Sequence, residues 1–86
     1  MPEISRFFGI IITKYYYDHA PPHFHVRYGS QKALISIENF TVLEGKLKSR
    51  ALGLVVEWAS LHQAELMNDW ELARQHAELE KIQPLE

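Results

Sequence analysis

The sequence predicts an α+β domain: a small antiparallel sheet of three to four strands over about residues 4–45, then a long helix and a short helix packed on one face. Three observations carry that expectation. Up to about residue 45, β-branched and aromatic residues dominate, interrupted by glycines, prolines and turn clusters. From Ser49 onward, apolar residues recur every three to four positions, which is the helical period. Eighty-six residues without a linker, repeat or low-complexity stretch make one domain, 1–86.

Residues 4–17, "ISRFFGIIITKYYY", read as one long strand with both faces apolar. Gly9 in its middle predicts a bulge or a close backbone approach. "DHAPP" ends the strand, because proline cannot donate to a ladder. Residues 23–28, "HFHVRY", alternate: Phe24, Val26 and Tyr28 on one side, His23, His25 and Arg27 on the other. This alternation puts the first set in the core and leaves His23 and His25 facing solvent or a shallow cleft. Gly29-Ser30 is a two-residue hairpin signal. A third strand, "QKALISI", follows with Ala33, Ile35 and Ile37 inward, then the turn "ENFT" and a short fourth strand "VLEG" closed by Gly45.

Ser49 is the expected cap of the long helix, whose apolar stripe runs through Leu52, Val55, Val56, Ala59 and Leu66. Ala51, Leu54, Trp58 and Leu61 widen it. Asn68 followed by Glu71 has capping-box spacing, which predicts a break there and a short helix over 69–76. "KIQPL" forms an edge strand or a docked tail. Trp58 and Trp70 are expected in the core, and His62 as a hydrogen-bonded core histidine.

The composition excludes several classes. Hydrophobic content of 47% is that of a globular chain, and with no cysteine there is neither a disulfide nor a thiolate zinc site. The run "FFGIII" is far too short to span a bilayer, and "MPEISRFF" lacks the pattern of a secretion signal. The expectation is a cytoplasmic protein that does not use a membrane. The net charge of −2 hides an asymmetry. Residues 1–50 carry seven Lys/Arg against four Asp/Glu; residues 51–86 carry two against seven. An anionic ligand on the first half suits that division, as does the plainer reading of glutamates on wet helix faces.

The chemistry-bearing stretch is "DHAPPHFHVRYG", where His19, His23 and His25, three of the five histidines, fall within seven residues. Residues two apart on a strand point the same way with Cα atoms roughly 6.5–7 Å apart. His23 and His25 therefore present two imidazoles to a divalent metal such as zinc, with His19 or Asp18 as a third ligand. The same residues suit metal-independent RNA cleavage. Histidine supplies base and acid near neutrality, and a cation faces the developing phosphate charge. In that reading His23, His25 and Arg27 are catalytic, Lys14 and Lys32 bind phosphate, and Tyr15 and Tyr17 stack an unpaired base. The plain alternative is the polar outer face of an ordinary hairpin.

These residues also carry a likeness. With "MPEISRFFGIII", "VLEGKL", "RALGLVVEWASLH", "DWELA" and "KIQPLE", the signature resembles the small bacterial proteins grouped as domain of unknown function 4160 (DUF4160). Ala20 stands where that family often has Asn, and Lys48-Ser49 where a proline often opens the helix. The resemblance implies a short cytosolic protein encoded beside another small protein, as in toxin–antitoxin pairs. The leading expectation is a toxin-like member of such a module that acts on or binds RNA through the His/Arg hairpin. Its partners are then a small cognate protein, RNA and a second copy of the chain, docked through the tyrosine-rich first strand. A non-enzymatic protein-binding module and a divalent-metal-binding protein are the alternatives. Nothing in the residues decides whether the chain is an enzyme.

Overall fold

The computed structural model describes residues 3–14, 16 and 19–86. Five strands, β1 (Glu3–Phe7), β2 (Ile10–Thr13), β3 (His23–Tyr28), β4 (Gln31–Ser36) and β5 (Val42–Gly45), precede two helices, α1 (Ser49–Leu61) and α2 (Gln63–Arg74). The strands form one antiparallel meander in which each pairs with the next. The expected α+β class holds, with five strands in place of three to four.

The additional strand comes from residues 4–17. In its described part, up to Thr13, this stretch is a hairpin and not one long strand, because the chain reverses at Phe8-Gly9 and brings Phe7 opposite Ile10. Both turn residues have positive φ, 49° and 80°. A two-residue hairpin of this hand requires that backbone, which glycine adopts freely and phenylalanine does not. No Asn-Gly or Asp-Gly marks the turn, so composition alone reads through it. The "VLEG" strand, the Gly29-Ser30 turn and the inward set Ala33, Ile35 and Ile37 are as expected.

One sheet face packs on the helices. Ile4, Phe7, Ile10, Ile12, Phe24, Val26, Ala33, Ile35 and Ile37 meet Ala51, Val55, Trp58, Ala59, Leu66 and Trp70 in a continuous core. Trp58 lies at its centre, 5.3 Å from the Phe7 ring and edge-on to Phe24 at 6.0 Å. Its indole N–H donates to the Gln83 carbonyl (2.9 Å), so the buried polar tip is satisfied by the C-terminal tail.

The helix break falls at His62, not at Asn68. Leu66, Asp69, Trp70 and Ala73 are buried at three- and four-residue intervals, so packing carries the helix straight through Asn68. His62 occupies the N-cap of α2, and Glu65, three residues on, meets its Nδ1 at 2.6 Å. The ring lies 5.7 Å from Trp58 and is half-buried. Lys48, not Ser49, holds the N-cap position of α1.

The tail after α2 docks without regular secondary structure. The Ile82 N–H donates to the Ile4 carbonyl (2.8 Å), and the Ile82 side chain is buried. One edge of the sheet is thus covered along β1, while β5 is exposed throughout, with Val42 and Leu43 outward. Of the residues expected to form a docking face on the first strand, only some lie free of the fold's own contacts. Phe7 is core and the tail already occupies the β1 edge at Ile4. Tyr16 is half-buried and stacks on His76 at 6.4 Å, and Tyr15 and Tyr17 lie outside the described residues. No described helix is long and apolar enough to cross a membrane.

Candidate functional site

Among the described residues, the sheet face turned away from the helices is open at Arg6, Arg27 and Lys32, and strand register dictates what it carries. One rung runs Arg6–Ile11–Arg27–Lys32 across β1 to β4. The next runs Glu3–Thr13–His25–Leu34–Glu44 across all five strands. Together they line a shallow groove of about 370 Å³ floored by Ile11, Thr13 and Leu34, with His25, Arg27 and Lys32 on its walls. Side chains alternate across the pleat, so the residues that make β3 half core oblige it to present His25 and Arg27 here.

The charges in this groove are unevenly satisfied. Arg6 grips Glu3 with two nitrogens, at 2.7 and 3.2 Å. Hydrogen bonding to the guanidinium holds the Glu3 carboxyl below its ordinary range. Arg27 and Lys32 stand directly opposite one another, both exposed. Among the described residues, no carboxylate comes within ion-pair distance of either. Like charges facing across a strand pair destabilise it, so this pair keeps a field available to an anion.

His23 departs from its expected solvent-facing position: it is buried at 5% exposure. Its ring lies 5.4 Å from Trp70 of α2 and 5.3 Å from His25. A carbonyl can only accept, so His23 Nδ1 carries a proton and donates to Pro21 O at 2.8 Å. Alternation predicts the side of the strand but not the end of the sheet, and here Trp70 reaches over the first residue of β3. Phe24 and Val26 are fully buried and Tyr28 half-buried, as the alternation predicts.

The remaining candidates separate. Lys14 is 2% exposed, with its ammonium 4.3 Å from the Trp70 ring centroid, so it belongs to the packed end of the sheet and not to the open groove. His19 is exposed and lines a separate depression with Pro21, His23 and Leu43. Among the described residues, no group of three or more His, Asp or Glu is placed to hold a metal ion. Asp18, Tyr15 and Tyr17 lie outside the described residues. The structure therefore gathers His25, Arg27 and Lys32 on one face, buries His23 and Lys14 at its end, and leaves His19 apart.

Ile11 and Leu34 on the groove floor, and the charge opposition of Arg27 and Lys32, escaped the sequence reading. The hairpin signal at Gly29-Ser30 fixes the second of these. A two-residue turn sets Tyr28 against Gln31, hence Arg27 against Lys32.

A family model described as a domain of unknown function (DUF4160) matches residues 9–71, a stretch that contains β2 to β5, all of α1 and most of α2. No curated protein matches the chain. No solved structure matches it either.

Proposed function

The chain belongs to the family described as domain of unknown function DUF4160, and we propose that it binds single-stranded RNA through the open sheet face as the toxin-like half of a two-protein module. The observation that carries this reading is the Arg27–Lys32 pair, two exposed cations held opposite each other over an apolar floor. Phosphate contacts dominate nucleic-acid affinity, and an uncovered antiparallel sheet is a surface on which unstacked bases lie. His25 sits one rung from the pair, within reach of a phosphodiester held there, where an imidazole serves as base or acid near neutral pH.

The test is fluorescence anisotropy of a short labelled single-stranded RNA across a salt series. Wild type should bind at low salt with a steep salt dependence. Arg27→Gln with Lys32→Gln should weaken binding and flatten the log–log slope by about 1.4, two phosphates at roughly 0.7 each. No binding at low salt overturns the reading. Growth arrest on expression, relieved by co-expression of the neighbouring gene, tests the module.

A second reading has its own support. β5 is a free edge with Val42 at 39% and Leu43 at 40% exposure, open to strand addition by a partner protein. Leu43→Lys or Leu43→Pro should abolish partner capture and leave RNA binding intact.

A further inference from the structure

The hairpin turn at Phe8-Gly9 breaks two local rules at once. Phe8 holds φ at +49°, a region that bulky residues avoid, and its side chain is 60% exposed. The ring meets Phe7 edge-on at 6.4 Å but stays mostly in water, and exposed aromatics on a strained backbone cluster where a ligand is clamped. Beside it lies a cavity of about 330 Å³ lined by Phe8, Tyr28, Arg50, Ala51 and Leu54. That volume is at the lower end for small-ligand sites, enough for one flat ring system and little more.

The surroundings set the chemistry. A Cβ built on Gly9 would touch Tyr28 Cε1 at 3.7 Å, so the Tyr28 ring lies against the turn that carries Phe8. The Lys48 N–H donates to Gln31 Oε1 at 2.8 Å, which ties the start of α1 to the β3–β4 turn and brings Arg50 to the same end of the sheet. The Arg27–Lys32 rung is the one nearest these two turns, since Tyr28–Gln31 and Phe7–Ile10 close the hairpins just beyond it. Two aromatic rings and a guanidinium frame the slot on the helix side of these turns, and the pair of cations lies one rung back on the opposite sheet face, so a strand that reaches both must pass around the turns.

We infer that this slot takes one unpaired nucleobase of the single-stranded RNA whose phosphates lie on Arg27 and Lys32; the inference rests on the RNA reading above. The base stacks between Phe8 and Tyr28, and Arg50 meets the sugar–phosphate chain as it rounds the turn. Stacking on aromatics tolerates any base, so the slot adds affinity and selects single strands over duplexes without reading sequence.

The test uses the full chain, Phe8→Gly and Phe8→Trp, a labelled single-stranded RNA and a duplex RNA of the same length. Phe8→Gly removes the ring and relieves the positive φ, so its melting temperature should equal or exceed that of wild type. Its affinity for the single strand should fall by about tenfold or more, the loss expected for one base stack. The salt slope should not change, because no phosphate contact is lost. Phe8→Trp should restore binding, and duplex affinity should be the same for all three proteins. Full single-strand affinity in Phe8→Gly overturns the slot and leaves the RNA reading standing. So does an equal loss for single strand and duplex, or a loss that Phe8→Trp does not rescue. A wild-type protein that binds no RNA overturns both.

Discussion

The Asp69 carboxylate, 1% exposed on α2, accepts the Glu80 backbone N–H at 2.9 Å and so ties the C-terminal tail to the helix. Its second oxygen has no hydrogen-bond partner among the described residues. Burial pushes its pKa above the ordinary aspartate range, and the nearby Glu80 and Glu65 carboxylates push the same way, although the Glu80 N–H pulls it down. In that situation the folded state holds its proton more tightly than the unfolded chain does. The stabilising contribution is therefore fully present below the ordinary aspartate pKa and is lost as pH rises through the raised folded value.

Asp69→Asn keeps an oxygen for the Glu80 N–H and removes the ionisation. Its melting temperature should exceed that of wild type at neutral pH and converge with it in acid. Asp69→Ala should instead loosen the tail, seen as faster amide exchange at Glu80 and Ile82. Parallel pH profiles for the Asp69→Asn variant and the wild-type protein would show that the carboxylate does not contribute as argued.

The Arg27–Lys32 opposition should trade stability for binding. Lys32→Glu replaces a like-charge pair by an opposite-charge pair directly across the ladder. Melting temperature should rise at low salt, with the gain shrinking as salt screens the pair, while RNA affinity falls. Unchanged melting at low salt would mean the two side chains splay too far apart to interact.

His23 and His25 should behave differently from one another. His23→Ala abandons the Pro21 carbonyl and the Trp70 contact in a buried place, at a cost of about 1–3 kcal/mol. His25→Ala, half-buried on the open face, should cost under about 1 kcal/mol. Phe24→Ala, fully buried against Trp58, should cost about 3–5 kcal/mol through the cavity it leaves. Equal melting of the two histidine variants would show that His23 is not held as described.

Two glycines give opposite outcomes. Gly45 holds φ at +84°, and a Cβ there would run into the Lys32 carbonyl oxygen and lie 2.8 Å from Ala33 Cα. Gly45→Ala should destabilise by at least about 2 kcal/mol from backbone strain and overpacking together. Gly53 lies within α1 with open space around its Cβ position, so Gly53→Ala should stabilise by about 0.5–1 kcal/mol. Chemical denaturation of both variants reads the contrast directly.

Periodicity by itself determined the α+β class, the β3–β4 hairpin, the "VLEG" strand and the core set from Phe24 to Ile37. These depend on alternation and turn chemistry within a few residues, which the chain carries locally. It likewise placed His25 and Arg27 on one face. Tertiary structure alone decided the rest. The Phe8-Gly9 reversal needs a backbone that phenylalanine resists, so it forms because Phe7 and Ile10 both pack into one core. The helix break sits at His62 because burial of Leu66, Asp69 and Trp70 overrides the cap-like spacing at Asn68. His23 and Lys14 lie inside because Trp70, far along the chain on α2, closes over them, and no local pattern encodes which distant ring will cover the end of a sheet.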